Sequence, residues 1–271
     1  MLAIKNNLMA ANAARHLGQS YDALAQSVER LSSGLRINTA KDDAAGLAVR
    51  ELMRADIAVL QQGARNAQDG ISLLQTTEGS MQTIDDLLVR MKQLAMQAAT
   101  GAYSDDQRTI MSSEFKELAD EIDRIAGAEQ FNGITMLSSA NGSVSIVFGD
   151  GASDTMTISK ADMTKDGLNI DSLGLSTTSS AQTALSTLDD AISDATTARA
   201  DFGAKMNRLE NTVSVLDVQA ENLLTAESRI SDIDVATEMA AMTRNQVLAQ
   251  AGVAMLAQAN VMPQMALTLL G

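Results

Sequence analysis

The chain has no cysteine and no tryptophan, one proline and one histidine, and aromatics make up 2% of its 271 residues. Without cysteine there can be no disulfide, no Cys-ligated zinc and no thiol nucleophile. The compartment stays open, since an exported protein can also do without cysteine. His16 has no Cys and no carboxylate pair beside it in sequence, so it reads as an ordinary residue flanking a helix seam. A phosphate-cradling loop is not expected, because neither G-x-x-x-x-G-K nor a strand-led G-x-G-x-x-G occurs. These gaps predict a protein that is not an enzyme, with no catalytic residues, cofactor or metal. Basic residues are also scarce: 20 Lys and Arg stand against 34 Asp and Glu, a formal charge of −14. That balance argues against nucleic acid, whose phosphates call for a basic stripe.

Long apolar runs are missing as well. Met1 to Ala14 has no continuous apolar core and no cleavage pattern of a secretory signal, so the residue rules alone place the chain in the cytosol. Asn245 to Gly271 lacks charged side chains, but Gln246, Gln250, Gln258, Asn260, Pro263 and Gln264 interrupt it well short of the roughly 18 apolar residues a membrane span requires. No membrane insertion is expected. Asn141-Gly142-Ser143 fits the N-glycosylation pattern, a match of three residues only.

What the chain does have is heptad spacing. From Ala10 the steps alternate four and three through Ala14, Leu17, Tyr21, Leu24, Val28, Leu31 and Leu35, and Ser32-Ser33-Gly34 ends the helix. Asp42 and Asp43 then precede a long periodic stretch and are expected to cap its N-terminus rather than to pair as a metal or acid/base site. The seam resumes as Met53, Ile57, Leu60, Ala64, Ala67, Ile71 and Leu74, steps once by three to Thr77, and continues through Met81, Ile84, Leu88, Met91, Ala95 and Ala98. One such skip alters local winding without ending the helix, which is predicted to stop near Gly101. Ser104 and Gln107 have the form of a capping box. They open a shorter returning helix through Met111, Phe115, Leu118, Ile122 and Ile125, closed by Gly127.

After Asn132-Gly133 the texture changes. Val144, Ile146 and Phe148 alternate, Gly149-Asp150-Gly151 supplies a turn, and Met156 and Ile158 alternate again, which predicts a β-hairpin. From Leu185 the longest seam runs to Ile230, interrupted only by Arg199 and Glu227. The last segment, Met239 to Gly271, carries one charged side chain, Arg244, and two apolar stripes. Met239, Met242, Ala249, Val253 and Leu256 form one stripe; Leu248, Met255, Met262, Ala266 and Leu269 form the other. A helix apolar on more than one face needs more than one neighbour.

The expected fold is mainly α: a long antiparallel coiled-coil and helical bundle, its terminal helices paired at one end, with a small β-hairpin inserted mid-chain. Two domains are expected, 1–45 with 233–271 and 46–232, the latter holding the hairpin region at about 138–180. The ordering cost of the tail exceeds what its own apolar side chains return, so it should not fold alone. The N-terminal seam covers one stripe, and further copies of the chain must cover the other. Repeated contacts that do not close by symmetry build a filament.

Four stretches resemble bacterial flagellin: ERLSSGLRINTAKDDAAG (Glu29 to Gly46), ARNAQDGISLLQTTEGSM (Ala64 to Met81), EIDRIAGAEQFNGITML (Glu121 to Leu137) and LAQANVMPQMALTLLG (Leu256 to Gly271). The resemblance implies a subunit of the flagellar filament, near-minimal and without large outer domains. It would be exported unfolded through the flagellar type III apparatus and assembled outside the cell, which replaces the cytosolic expectation. It implies filament-core packing by Leu17, Tyr21, Leu24, Val28, Leu31, Val253, Leu256, Met262 and Leu269. The implied partners are other copies of the chain, a flagellar export chaperone, and the cap and hook-junction proteins. It also implies a patch for Toll-like receptor 5 on Leu87 to Gln97, with Arg90, Leu94 and Glu114 in matching positions. Leu94 reads equally as packing against the next subunit. A hook-filament junction protein shares both ends of the pattern, and a cytosolic coiled-coil scaffold is the alternative from another class.

Overall fold

The computed structural model describes residues 7–139, 141–151 and 153–270, the last eight of these by their backbone alone. Its elements are α1 (Leu8–Ser33), α2 (Ala44–Ala99), α3 (Asp105–Ala128), β1 (Ser143–Val147), β2 (Thr155–Ser159), α4 (Thr178–Ser231) and α5 (Val235–Leu270). The chain is mainly α with one small hairpin, as its spacing predicts.

Heptad spacing explains the two long helices position by position. Every seam residue of α2 from Met53 to Ala98 is buried or half-buried. The skip residue, Thr77, is fully buried. Its hydroxyl lies 3.0 Å from both the Leu73 carbonyl and a carboxylate oxygen of Glu129, and it donates to one of them. The other Glu129 oxygen accepts the Met136 N–H at 2.9 Å. A polar side chain is tolerated at the skip because the chain after α3 supplies its partner. On α4 the two interruptions are ion-pair positions. Arg199 donates to Glu78 (Nε, 2.9 Å) and Asp85 (Nη1, 2.5 Å), which stand one heptad apart on α2. Glu227 lies 3.9 Å from Arg54.

The unit formed by Ala58–Ala220 has its own core. Leu74, Met81, Ile84, Leu88 and Met91 of α2 meet Phe115 and Ile122 of α3 and Leu188, Phe202 and Leu209 of α4 there. The Ser104 hydroxyl accepts the Gln107 N–H at 3.4 Å, and the Gln107 side chain accepts the Ser104 N–H at 3.0 Å, completing the capping box. α3 runs past Gly127 to Ala128, and Glu129 is its C-cap. β1 and β2 pair antiparallel with Ile146 opposite Met156, and Met156 and Ile158 are buried. The hairpin lies against α2 where a side chain would obstruct it: a Cβ on Gly63 would stand 2.1 Å from the Phe148 carbonyl oxygen. Asn66, between Gly63 and Gly70, donates to the Val147 carbonyl at 2.8 Å. Leu168, Ile170 and Leu175, in the stretch without heptads, also enter this core.

The second unit comprises Met1–Ile57 and Glu221–Gly271. The division thus falls inside α2 and α4, rather than at 45/46 and 232/233. The reason is local. Arg50, buried on the second turn of α2, donates to the Ile37 carbonyl at 2.8 Å, and Arg54 pairs with Glu227. These contacts hold the first turns of α2 and the last turns of α4 with the connecting segments.

Candidate assembly interface

α1 begins with Asn7, whose side chain accepts the Ala10 N–H at 3.1 Å, and ends at Gly34, whose φ of 73° suits a residue without Cβ. Its partner is α5, and the pairing is antiparallel. Asn7 donates to the Ala259 carbonyl at 2.8 Å, Gly252 sits against Leu17, Arg30 faces Glu238 at 3.9 Å, and Leu35 bridges Asp232. The Gly34 carbonyl accepts the Ile233 N–H at 3.1 Å.

The residues of α1 turned toward α5 are Ala10, Ala13, Leu17, Ser20, Leu24, Ser27 and Leu31, all buried or half-buried. α5 answers with Met242, Asn245, Ala249, Gly252, Leu256 and Ala259. This corrects the seam expected from spacing. Leu17, Leu24 and Leu31 belong to it, but Tyr21 and Val28 are each 51% exposed, and Ser20 and Ser27 take the inner positions instead. Steps of four and three from Ala10 allow two heptad frames sharing the same leucines. Side-chain size favoured the wrong one, since the larger Tyr21 and Val28 outrank Ser20 and Ser27 in an apolar pattern. On α5 the first apolar stripe splits: Met242, Ala249 and Leu256 turn inward, while Met239 and Val253 stay half-exposed. Of the second stripe, Leu248 (50%) and Met255 (63%) face outward and Met262 is half-buried. The side chains of Ala266 and Leu269 lie outside the described residues.

The two expected caps also divide. Asp43 accepts the Gly46 N–H at 2.9 Å and caps α2. Asp42 instead organises the connection. Its carboxylate accepts the Thr39 N–H (3.0 Å) and hydroxyl (3.0 Å), the Asn38 N–H (3.3 Å) and the Gln26 side chain of α1 (2.8 Å). These donors, the Thr39 N–H foremost, hold its carboxyl well below the usual range, at about 2.

In the other unit, Arg90 donates through Nε (3.1 Å) and Nη2 (2.6 Å) to one oxygen of Glu114, and both side chains are about half exposed. Leu94 is 2% exposed inside the core of that unit. Its expected place on a surface, for a receptor or a neighbouring subunit, is therefore corrected: it stands beside the seam residue Ala95, and the core reaches round to include it. Among the described residues, no three His, Asp or Glu side chains cluster as metal ligands do, and no helix is long and apolar enough to cross a membrane.

A family described as the bacterial flagellin N-terminal helical region matches residues 4–142, and one described as the bacterial flagellin C-terminal helical region matches residues 185–270. The chain belongs to the bacterial flagellin family. Among flagellar proteins, it is 42% identical to a flagellar filament 31.3 kDa core protein of Treponema maltophilum, over 98% of this chain and 99% of that one. To a flagellin of Halalkalibacterium halodurans the identity is 40%, with the same coverage. The crystal structure of Bacillus cereus flagellin, at 34% identity, superposes with a TM-score of 0.51 and covers 60% of this chain and 94% of that one. The frame of Ser20 and Ser27 was the element that spacing alone missed. The run of small residues at Asn245, Ala249 and Gly252 was the signal that could have found it.

Proposed function

We infer that this flagellin is the structural subunit of the extracellular flagellar filament and that its paired ends carry the polymer contacts. The observation behind the second statement is the apolar surface left on α1 and α5 after they have paired. Tyr21 and Val28 on one helix, and Val253 and Met255 on the other, remain about half exposed or more. Leu17, Leu24, Leu31 and Leu256 hold the two helices together, and Met262 and Leu269 continue the apolar sequence of α5. Outward residues then meet other copies, and the association is driven by removing their apolar area from water. The role is structural rather than enzymatic.

Family membership supports a finer reading of the partners. The chain passes unfolded through the flagellar type III apparatus with an export chaperone, and is placed between hook-junction proteins and the cap. Toll-like receptor 5 reads Arg90 and Glu114 on α2 and α3, without direct contact to Leu94. Receptor signalling that is unchanged by Arg90→Ala would remove that patch.

Seeded polymerisation followed by light scattering tests the assembly reading. Val253→Asp places a charge on the outer face, away from the α1–α5 seam. It should leave helix content unchanged and cut elongation by at least about tenfold, since an unpaired charge in a dry contact is costly. Wild-type elongation by this variant would sink the reading.

A further inference from the structure

The chain contains 16 methionines and no cysteine, so thioethers are its most readily oxidised side chains. Their placement is uneven. In the Ala58–Ala220 unit Met81, Met91, Met136, Met156 and Met163 are at most 4% exposed, whereas Met96 is open at 59%. On the terminal helices three are open among the described side chains: Met9 at 63%, Met239 at 50% and Met255 at 63%. All three lie on the helices whose uncovered apolar surface is read above as the polymer contact.

We propose that Met9, Met239 and Met255 are oxidation sites that gate assembly: a hydroperoxide converts them to sulfoxides in the free subunit, and the modified subunit is rejected by the growing filament. The proposal rests on the filament-subunit reading. The chemistry needs access and no catalytic side chain. A lone pair on Sδ attacks one oxygen of hydrogen peroxide, and the S–O bond forms as the O–O bond breaks. The proton on the transferred oxygen passes to the departing hydroxide, which leaves as water. Sulfur gives up two electrons and the peroxide gains them. The product carries a strong, hydrated hydrogen-bond acceptor where an apolar side chain stood, on helices whose outer surface also exposes Leu248 and Val253. A contact that must become dry is thereby opposed. The buried methionines of the other unit are shielded by its core, so a brief exposure alters the ends without unfolding the bundle.

Partial oxidation with hydrogen peroxide, elongation from untreated seeds, separation of polymer from soluble chain and peptide mass mapping of both fractions form the test. Sulfoxide at Met9, Met239 and Met255 should be depleted in the polymer by about tenfold, the order expected for burying an unpaired acceptor. Sulfoxide at Met96 should be depleted less. Equal sulfoxide in both fractions at the three terminal positions overturns the proposal, as does depletion at Met96 to the same degree. A variant with Met9→Leu, Met239→Leu and Met255→Leu, which keeps volume and apolarity, should elongate after peroxide treatment as untreated protein does. Peroxide inhibition of that variant at the wild-type level also overturns the proposal. Untreated wild-type chain that extends no seeds would overturn the filament reading and this proposal with it, an outcome distinct from assembly without selection.

Discussion

At the scale of single residues, polar side chains hold together what the apolar seams leave loose. Asp42 shows this best, because it gathers Asn38, Thr39 and Gln26 around one carboxylate and so ties the connection to α1. Its folded pKa, about 2, lies below the roughly 3.9 of a free aspartate. The ionised form therefore favours the folded connection. That contribution is complete above about pH 4 and is lost as pH falls through about 2. In an NMR titration the amide signals of Asn38 and Thr39 should move together with a midpoint near 2, and Asp42→Asn should abolish the transition. A midpoint near the free aspartate value would show that these donors do not hold the carboxylate. Arg199 works similarly on α4. Glu78 and Asp85 flank its guanidinium, raise its pKa further above its already high ordinary value, and make a charge acceptable in an apolar seam.

At the scale of elements, the hairpin is the part whose docking depends on missing side chains. β1 and β2 are too short to be stable alone, and they rest on α2 through Gly63, Asn66 and Gly70. Gly63→Ala raises intrinsic helix propensity, yet its methyl group would press on the backbone of Phe148. The expected outcome is net destabilisation of about 1–3 kcal/mol in urea unfolding, with faster hydrogen exchange at Val144 to Phe148 and unchanged exchange in α3. A more stable variant would contradict this docking. Elements of this kind also show what could be read in advance. The α2 and α4 seams, the Ser104 capping box and the hairpin were legible because each rests on local spacing or local turn chemistry. Three features were not. Ser20 and Ser27 gained their inner positions only from the antiparallel pairing of α1 with α5, which lies far away in sequence. Leu94 has a residue type and spacing that fit a surface stripe as well as a core, and the core takes it. The capping role expected of Asp42 went to Asp43 alone, because Gln26 and Thr39 offer Asp42 more donors than a helix end does.

At the scale of the whole molecule, charge and apolar surface are kept apart. Between 58 and 220 there are 23 acidic and 11 basic residues, whereas the two terminal segments together carry 11 and 9. Copies of the middle unit repel one another, and copies of the nearly neutral ends do not. The ends also retain Tyr21, Val28, Val253 and Met255 in solvent. Both facts point to α1 and α5 as the place where copies meet. An electron cryomicroscopy reconstruction of filaments grown from this chain tests that claim most directly. It should show Tyr21, Val28, Val253 and Met255 buried against neighbouring copies, with α1 and α5 still paired through Leu17 and Gly252. A filament joined only through the middle units, with those four side chains still facing water, would contradict it.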